Sequence, residues 1–120
     1  MESVLVVDDE RSILELFDYA LRINGFEVET ASDGNEGLRK FSEGRFDLVI
    51  TDILLNGTDG RELLRRIRTS DKPRTPVIGV SGTPWLLENN DFDKVLEKPF
   101  SIQRLIESVH GLIKRGLPTA

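Results

Sequence analysis

Short apolar runs alternate five times with stretches of helical spacing along this chain of 120 residues, and that alternation constrains its fold more than any other feature. Val4–Val7 runs into Asp8, Phe46–Thr51 into Asp52, and Val77–Val80 into Ser81. Phe26–Ala31 is a weaker, alternating version in which Phe26, Val28 and Thr30 share one face. Phe92–Glu97 has only Val95 and Leu96 as its apolar centre. A run that is apolar on both faces reads as a strand buried on both sides, which is the setting of a parallel sheet. The stretches between carry apolar residues three and four apart: Ile13, Phe17 and Leu21 with Leu14 and Ala20 beside them, then Leu38 and Phe41, then Leu63, Leu64 and Ile67. Ile102, Leu105, Ile106, Val109, Leu112 and Ile113 form the clearest stripe. Asp33 precedes Glu36 by three positions and Asp59 precedes Glu62 by three, the spacing of a capping box with aspartate in the cap role. Ser101, after Pro99, is placed to cap the last helix.

Such an alternation predicts an α/β fold, a doubly wound five-stranded parallel sheet with helices on both faces. Residues 1–116 read as one domain and 117–120 as a short frayed tail, with no repeat or low-complexity tract. A hydrophobic share of 38% and a charged share of 31% fit a soluble globular chain. The formal net charge of −5 argues against direct, non-specific nucleic-acid binding, which needs a basic face. With no cysteine, the chain can hold no disulfide, zinc thiolate or cysteine nucleophile, and it suits the reducing cytoplasm. Val4–Val7 is too short for a signal-peptide core, and no apolar stretch approaches the length needed for membrane insertion.

In sheets of this kind ligands bind beyond the carboxyl ends of the strands, near the point where strand order reverses. The polar residues that end the runs fall at that edge. Asp8 and Asp9 follow the first strand, Asp52 ends the third, Ser81 the fourth, and Lys98, before Pro99, the fifth. Four distant segments would then bring three carboxylates, a hydroxyl and an ammonium into one cleft. Three close carboxylates repel one another, and a hard divalent cation removes that penalty. Mg2+ suits such a site, since it takes oxygen ligands and bridges to phosphate oxygens. A carboxylate beside it can attack phosphorus to give an acyl phosphate. A lysine and a hydroxyl can neutralise the phosphoryl oxygens.

The segments LVVDDE, DLVITD, IGVSG and LEKPF, in that order, resemble the blocks of the receiver domains of two-component response regulators, of the chemotaxis-regulator type. ASDGNEGL resembles the entry to that family's second helix, and Asp59-Gly60, seven and eight residues after Asp52, matches as well. The resemblance spans essentially the whole chain. It implies a flavodoxin-like strand order 2-1-3-4-5 with Asp52 as phosphoacceptor. Asp9 would bind Mg2+ directly, Asp8 mostly through water, and Asp52 and the Leu54 backbone carbonyl would complete the protein's ligands. Lys98, placed by a cis bond to Pro99, would contact the phosphoryl group. Ser81 would be the hydroxyl that moves to it, with the Gly82 amide nearby. The donor would be a phosphohistidine on a sensor histidine kinase or histidine phosphotransfer protein. The downstream effector is not named by the resemblance, and a weak homodimer is left open. The chain would act as a signalling domain, by phosphorylation-dependent partner binding or by phosphorelay, and not as an enzyme beyond catalysing its own phosphorylation and slow dephosphorylation.

Several positions depart from the family's pattern. Asn56 stands where a proline is usual, four residues after Asp52, so altered mobility of that loop is expected. Val95 stands three residues before Lys98, where the family has its switch aromatic. Ser81 and Lys98 are only 17 positions apart, and Pro84 and Asn89-Asn90-Asp91 leave Trp85–Glu88 as the only helical stretch between them. A very short, irregular or absent helix is expected there. At the two positions that tune dephosphorylation stand Leu54 and Thr83, and a leucine cannot position an attacking water, so a long-lived phosphorylated state is expected.

Taken singly, Asp8-Asp9 would read as a strand-end pair capping the first helix, Lys98 as a solvated lysine and Ser81 as a turn residue. His110 reads as structural or solvent-facing, Arg61, Arg65, Arg66 and Arg68 as a solvated helix face, and Trp85 as packing over the sheet edge, the favoured reading, or as an exposed partner contact. Two other functions compete: a pseudo-receiver that folds as an interaction scaffold without being phosphorylated, and a phosphohydrolase with an aspartyl intermediate. The latter needs an acid two residues after the nucleophile, where Asp52 has Leu54 and Asp8 has Glu10.

Overall fold

The computed structural model describes residues 1–55, 57–82 and 91–116. In chain order the elements are β1 (Ser3–Val7), α1 (Arg11–Ile23), β2 (Glu27–Ala31), α2 (Gly34–Glu43), β3 (Leu48–Asp52), α3 (Gly60–Arg68), β4 (Val77–Ser81), β5 (Lys94–Glu97) and α4 (Ile102–Gly116). The strands form one parallel sheet in the order β2-β1-β3-β4-β5, so the α/β fold and its flavodoxin-like order are as expected. The order reverses between β1 and β3, which opens a crevice at their carboxyl ends.

The doubly apolar runs are explained by two cores. Side chains alternate faces along a strand. Val4, Val6, Leu48, Ile50, Ile78 and Val80 point to one face, where Leu14, Phe17 and Leu21 of α1 and Leu105, Val109 and Ile113 of α4 cover them. Leu5, Val7, Val49 and Val77 point to the other face, against Phe41 of α2 and Leu63, Leu64 and Ile67 of α3. Each helical stripe therefore has a sheet face to bury against, and each strand has two.

The caps form where the spacing places them. Asp33 accepts from the Glu36 amide (2.8 Å), Asp59 from the Arg61 and Glu62 amides (2.8 and 3.1 Å), and Ser101 Oγ from the Arg104 amide (3.1 Å). The glutamates face elsewhere: Glu36 pairs with Lys40, and Glu62 with Arg65 and Arg66, which hold its carboxyl down at about 2. Phe26, Phe46 and Phe92 fall outside the strands proper. They pack against the cores from the approaches to β2, β3 and β5.

Arg68 corrects the expectation of a wholly solvated arginine face. It donates to the carbonyls of Pro73 (3.1 Å) and Thr75 (2.7 Å) and to Asp93 Oδ2 (2.7 Å), which also accepts from the Val77 amide (2.7 Å). One guanidinium thus ties the end of α3 to the starts of β4 and β5. Arg61, Arg65 and Arg66 are exposed as expected. The expectations attached to Asn56, Thr83, Trp85, a reduced helix at Trp85–Glu88 and the tail at 117–120 lie outside the described residues. Among the described residues no helix is long and apolar enough to cross a membrane.

Candidate functional site

Parallel register assembles the site. Val7 of β1 pairs with Thr51 of β3, so Asp8 and Asp52 leave adjacent strands side by side. The nearest carboxylate oxygens of Asp8, Asp9 and Asp52 lie within 4.8 Å of one another. On the other side Ser81 pairs with Glu97, so Lys98 emerges next to the end of β4, its amide donating to the Ser81 carbonyl (2.8 Å). The Lys98–Pro99 peptide is cis. The Lys98 ammonium lies 3.1 Å from Asp52 Oδ2. Ser81 is buried at the end of β4, beside β3. The structure thus brings Asp8, Asp9, Asp52 and Lys98 together, with Ser81 on the strand between β3 and β5.

The segment after Asp52 closes on itself. The Leu54 amide donates to Asp52 Oδ1 (3.3 Å), and the Gly60 amide donates to the Ile53 carbonyl (3.0 Å). A Cβ on Gly60 would stand 2.5 Å from the Asp52 carbonyl oxygen, so only glycine lets α3 begin this close to the end of β3. Asp59 caps the same helix, which gives the Asp59-Gly60 pair its physical reason. Leu54 itself points outward and is 68% exposed.

Asp8 is only 2% exposed, and its Oδ1 accepts from the Glu10 amide (2.9 Å). It does not cap α1, whose first turn has no side-chain cap. Burial, with the charge of Asp52 adding to it, pushes the Asp8 carboxyl up to about 6. Burial opposes the charge of Lys98, but the hydrogen bond and charge of Asp52 outweigh it and raise the lysine's pKa. The site is therefore over-supplied with negative charge at Asp8 and holds its one ammonium firmly charged.

A divalent cation would relieve that imbalance. Mg2+ takes oxygens at 2.0–2.1 Å, so ligands on one ion stand no more than about 4.2 Å apart, which small side-chain adjustments to the Asp8, Asp9 and Asp52 carboxylates would satisfy. An all-oxygen donor set of this kind suits a hard cation and not a soft one.

Beside Lys98 lies an apolar groove of about 470 Å3, walled by Ile13, Leu16 and Phe17 of α1 and by Pro99, Phe100 and Ile102. His110 stands away from the site, its ring 5.2 Å from that of Phe26 at the opposite, amino-terminal edge of the sheet. Sequence reasoning did not single out the contact between α2 and the segment after Asp52. There Thr58 Oγ1 donates to Asn35 Oδ1 (2.5 Å), and the backbone of Gly34 lies against the Thr58 carbonyl. Two polar residues 23 positions apart give no sign in sequence that they meet.

Residues 4–110 match the family model of the response regulator receiver domain. The transcriptional regulatory protein TrcR of Mycobacterium tuberculosis is 36% identical over 118 residues, covering 94% of this chain and 46% of that protein. The chain spans about half the length of the curated relatives it matches. Among solved structures, the chemotaxis response regulator CheY4 of Vibrio cholerae superposes with a TM-score of 0.87 at 30% identity, covering 93% of this chain and 98% of that one. The response regulator TrrA of Thermotoga maritima, solved in complex with Mg(2+)-BeF, superposes with a TM-score of 0.81 at 35% identity, covering 93% and 99%.

Proposed function

The chain belongs to the response regulator receiver domain family, and from that premise we propose that it accepts a phosphoryl group on the Asp52 carboxylate from a phosphohistidine donor. The observation that carries this is the setting of Asp52: an ammonium at 3.1 Å and two further carboxylates whose oxygens lie within 4.8 Å. Such a carboxylate is the nucleophile. Its oxygen forms a bond to phosphorus as the bond from phosphorus to the donor's imidazole nitrogen breaks, and the departing imidazole takes a proton from solvent. Lys98 would neutralise the transferred phosphoryl oxygens, and the Ser81 hydroxyl would donate to one of them. The Leu54 amide orients Asp52 by holding Oδ1. Asp8, Asp9, Asp52 and the Leu54 carbonyl would hold Mg2+, in keeping with the Mg(2+)-BeF complex of the Thermotoga protein. The ion would supply positive charge to the phosphoryl oxygens during transfer.

In this reading the chain is a cytoplasmic signalling domain that catalyses only its own phosphorylation and slow dephosphorylation. Its donor is a sensor histidine kinase or a histidine phosphotransfer protein, and its product is a phosphorylated surface read by a downstream effector. Intact mass after incubation with Mg2+ and acetyl phosphate tests the reaction. A single phosphate adduct on the native chain that is absent from Asp52→Asn is the expected result. No adduct, or one that persists in Asp52→Asn, would overturn it.

A further inference from the structure

Asp52 needs the segment after it to stay in place, because the Leu54 amide that holds its Oδ1 belongs to that segment. The segment's two ends are joined by the bond from the Gly60 amide to the Ile53 carbonyl. Its far side meets α2 through Thr58 in two ways, and Gly57 lies against the Asn35 side chain beside it. The Thr58 carbonyl presses on the first residue of the helix so closely that a Cβ on Gly34 would stand 1.4 Å from its oxygen. The Thr58 hydroxyl donates to Asn35 Oδ1 at 2.5 Å. Gly34 sets how near the two backbones come, while the directional bond fixes where along the helix Thr58 sits.

We propose that Asn35 is a positioning residue for phosphoryl transfer: its bond to Thr58 clamps the segment after Asp52 to α2 and so aims the Leu54 amide at the acceptor carboxylate. The inference rests on the reading of Asp52 as phosphoacceptor. Asn35 touches neither Asp52 nor the transferred group. Its effect runs through Thr58, so loss of the clamp slows phosphorylation and leaves the fold in place.

Two readings on the Mg2+-loaded chain test this: the rate of phosphorylation by acetyl phosphate, and the amide resonance of Leu54 in a 1H–15N spectrum. Asn35→Ala and Thr58→Val should each slow the reaction about threefold to tenfold, the range that loss of one hydrogen bond carries. Each should also move the Leu54 resonance. Thr58→Ser, which keeps the hydroxyl, should restore both, and the double variant should be no slower than the slower single one. Unchanged rates, or slowed rates with a Leu54 resonance that does not move, overturn the proposal. If Asn35→Ala fails to fold, the Thr58→Val and Thr58→Ser pair decides alone. If the native chain takes no phosphate, the phosphoacceptor reading fails, and the clamp is then judged on the Leu54 resonance, where no shift in either single variant overturns it.

Discussion

Asp8 carries the largest electrostatic penalty described in this molecule. Its carboxyl is buried beside Asp52 and is pushed up to about 6 from 3.8. Each unit corresponds to about 1.4 kcal/mol, so ionised Asp8 costs the metal-free fold at most about 3 kcal/mol. Because the folded pKa is raised, the cost is absent below pH 3.8, grows as pH rises and is complete above about 6. Asp8→Asn keeps an oxygen for the Glu10 amide and loses the charge. In chelator it should be more stable than the native chain at pH 7 and equal to it near pH 3.5, as read by denaturant titration at the two pH values. Equal stability at pH 7 would refute the burial argument. Leu54 poses a different question. It is 68% exposed beside Asp52 and has no polar group with which to hold an attacking water. Once phosphorylated, the native chain should lose its acyl phosphate more slowly than a Leu54→Asn variant, followed by time-resolved intact mass. Faster loss from the native chain would count against the idea.

At the scale of elements, α1 does two jobs. Leu14, Phe17 and Leu21 bury one stripe against the sheet. Leu16 stays 45% exposed and, with Ile13, walls the apolar groove next to Lys98. A small phosphodonor needs only the charged site. A protein donor must also rest on the surface around it, and an apolar groove at the mouth offers such a rest. Leu16→Glu is expected to leave phosphorylation by acetyl phosphate unchanged and to slow transfer from a phosphohistidine protein at least tenfold. Equal slowing with both donors would place Leu16 in the chemistry instead. The C-terminal end of α3 shows how an element hides its purpose in sequence. Arg68 looks like its neighbours Arg65 and Arg66, yet it alone among them reaches Asp93 and the backbone before β4.

For the molecule as a whole, the site concentrates repulsion where the sheet's strands end, and a bound cation would turn that repulsion into attraction. Mg2+ would bind the folded arrangement and not the dispersed carboxylates of the unfolded chain, so it should stabilise the fold by mass action. The thermal midpoint of the native chain should rise with Mg2+ concentration, and that of Asp8→Asn or Asp52→Asn should rise much less. An identical rise in all three would place the ion elsewhere. The curated relatives run to about twice this length, so partners and outputs belonging to their remaining halves are a separate question from the chemistry at Asp52.

The sequence alone determined the α/β class, the strand cores and the caps at Asp33, Asp59 and Ser101. Each of these depends on near neighbours: a period of two or of four, or a carboxylate three residues from an amide. It also named Asp8, Asp9, Asp52, Ser81 and Lys98, because polar residues that end apolar runs in a parallel sheet must gather at one edge. Only the tertiary structure decided that Asp8 turns onto the Glu10 amide instead of capping α1, that Arg68 is a tie and not a solvated charge, and that Gly60 and Gly34 are glycine because another backbone passes against them. It alone joined Asn35 to Thr58. These contacts link residues whose separation follows no period, or depend on the direction a side chain takes once the strands are aligned. Periodicity records which face of an element is buried, and it carries no record of which residue across the fold will meet it.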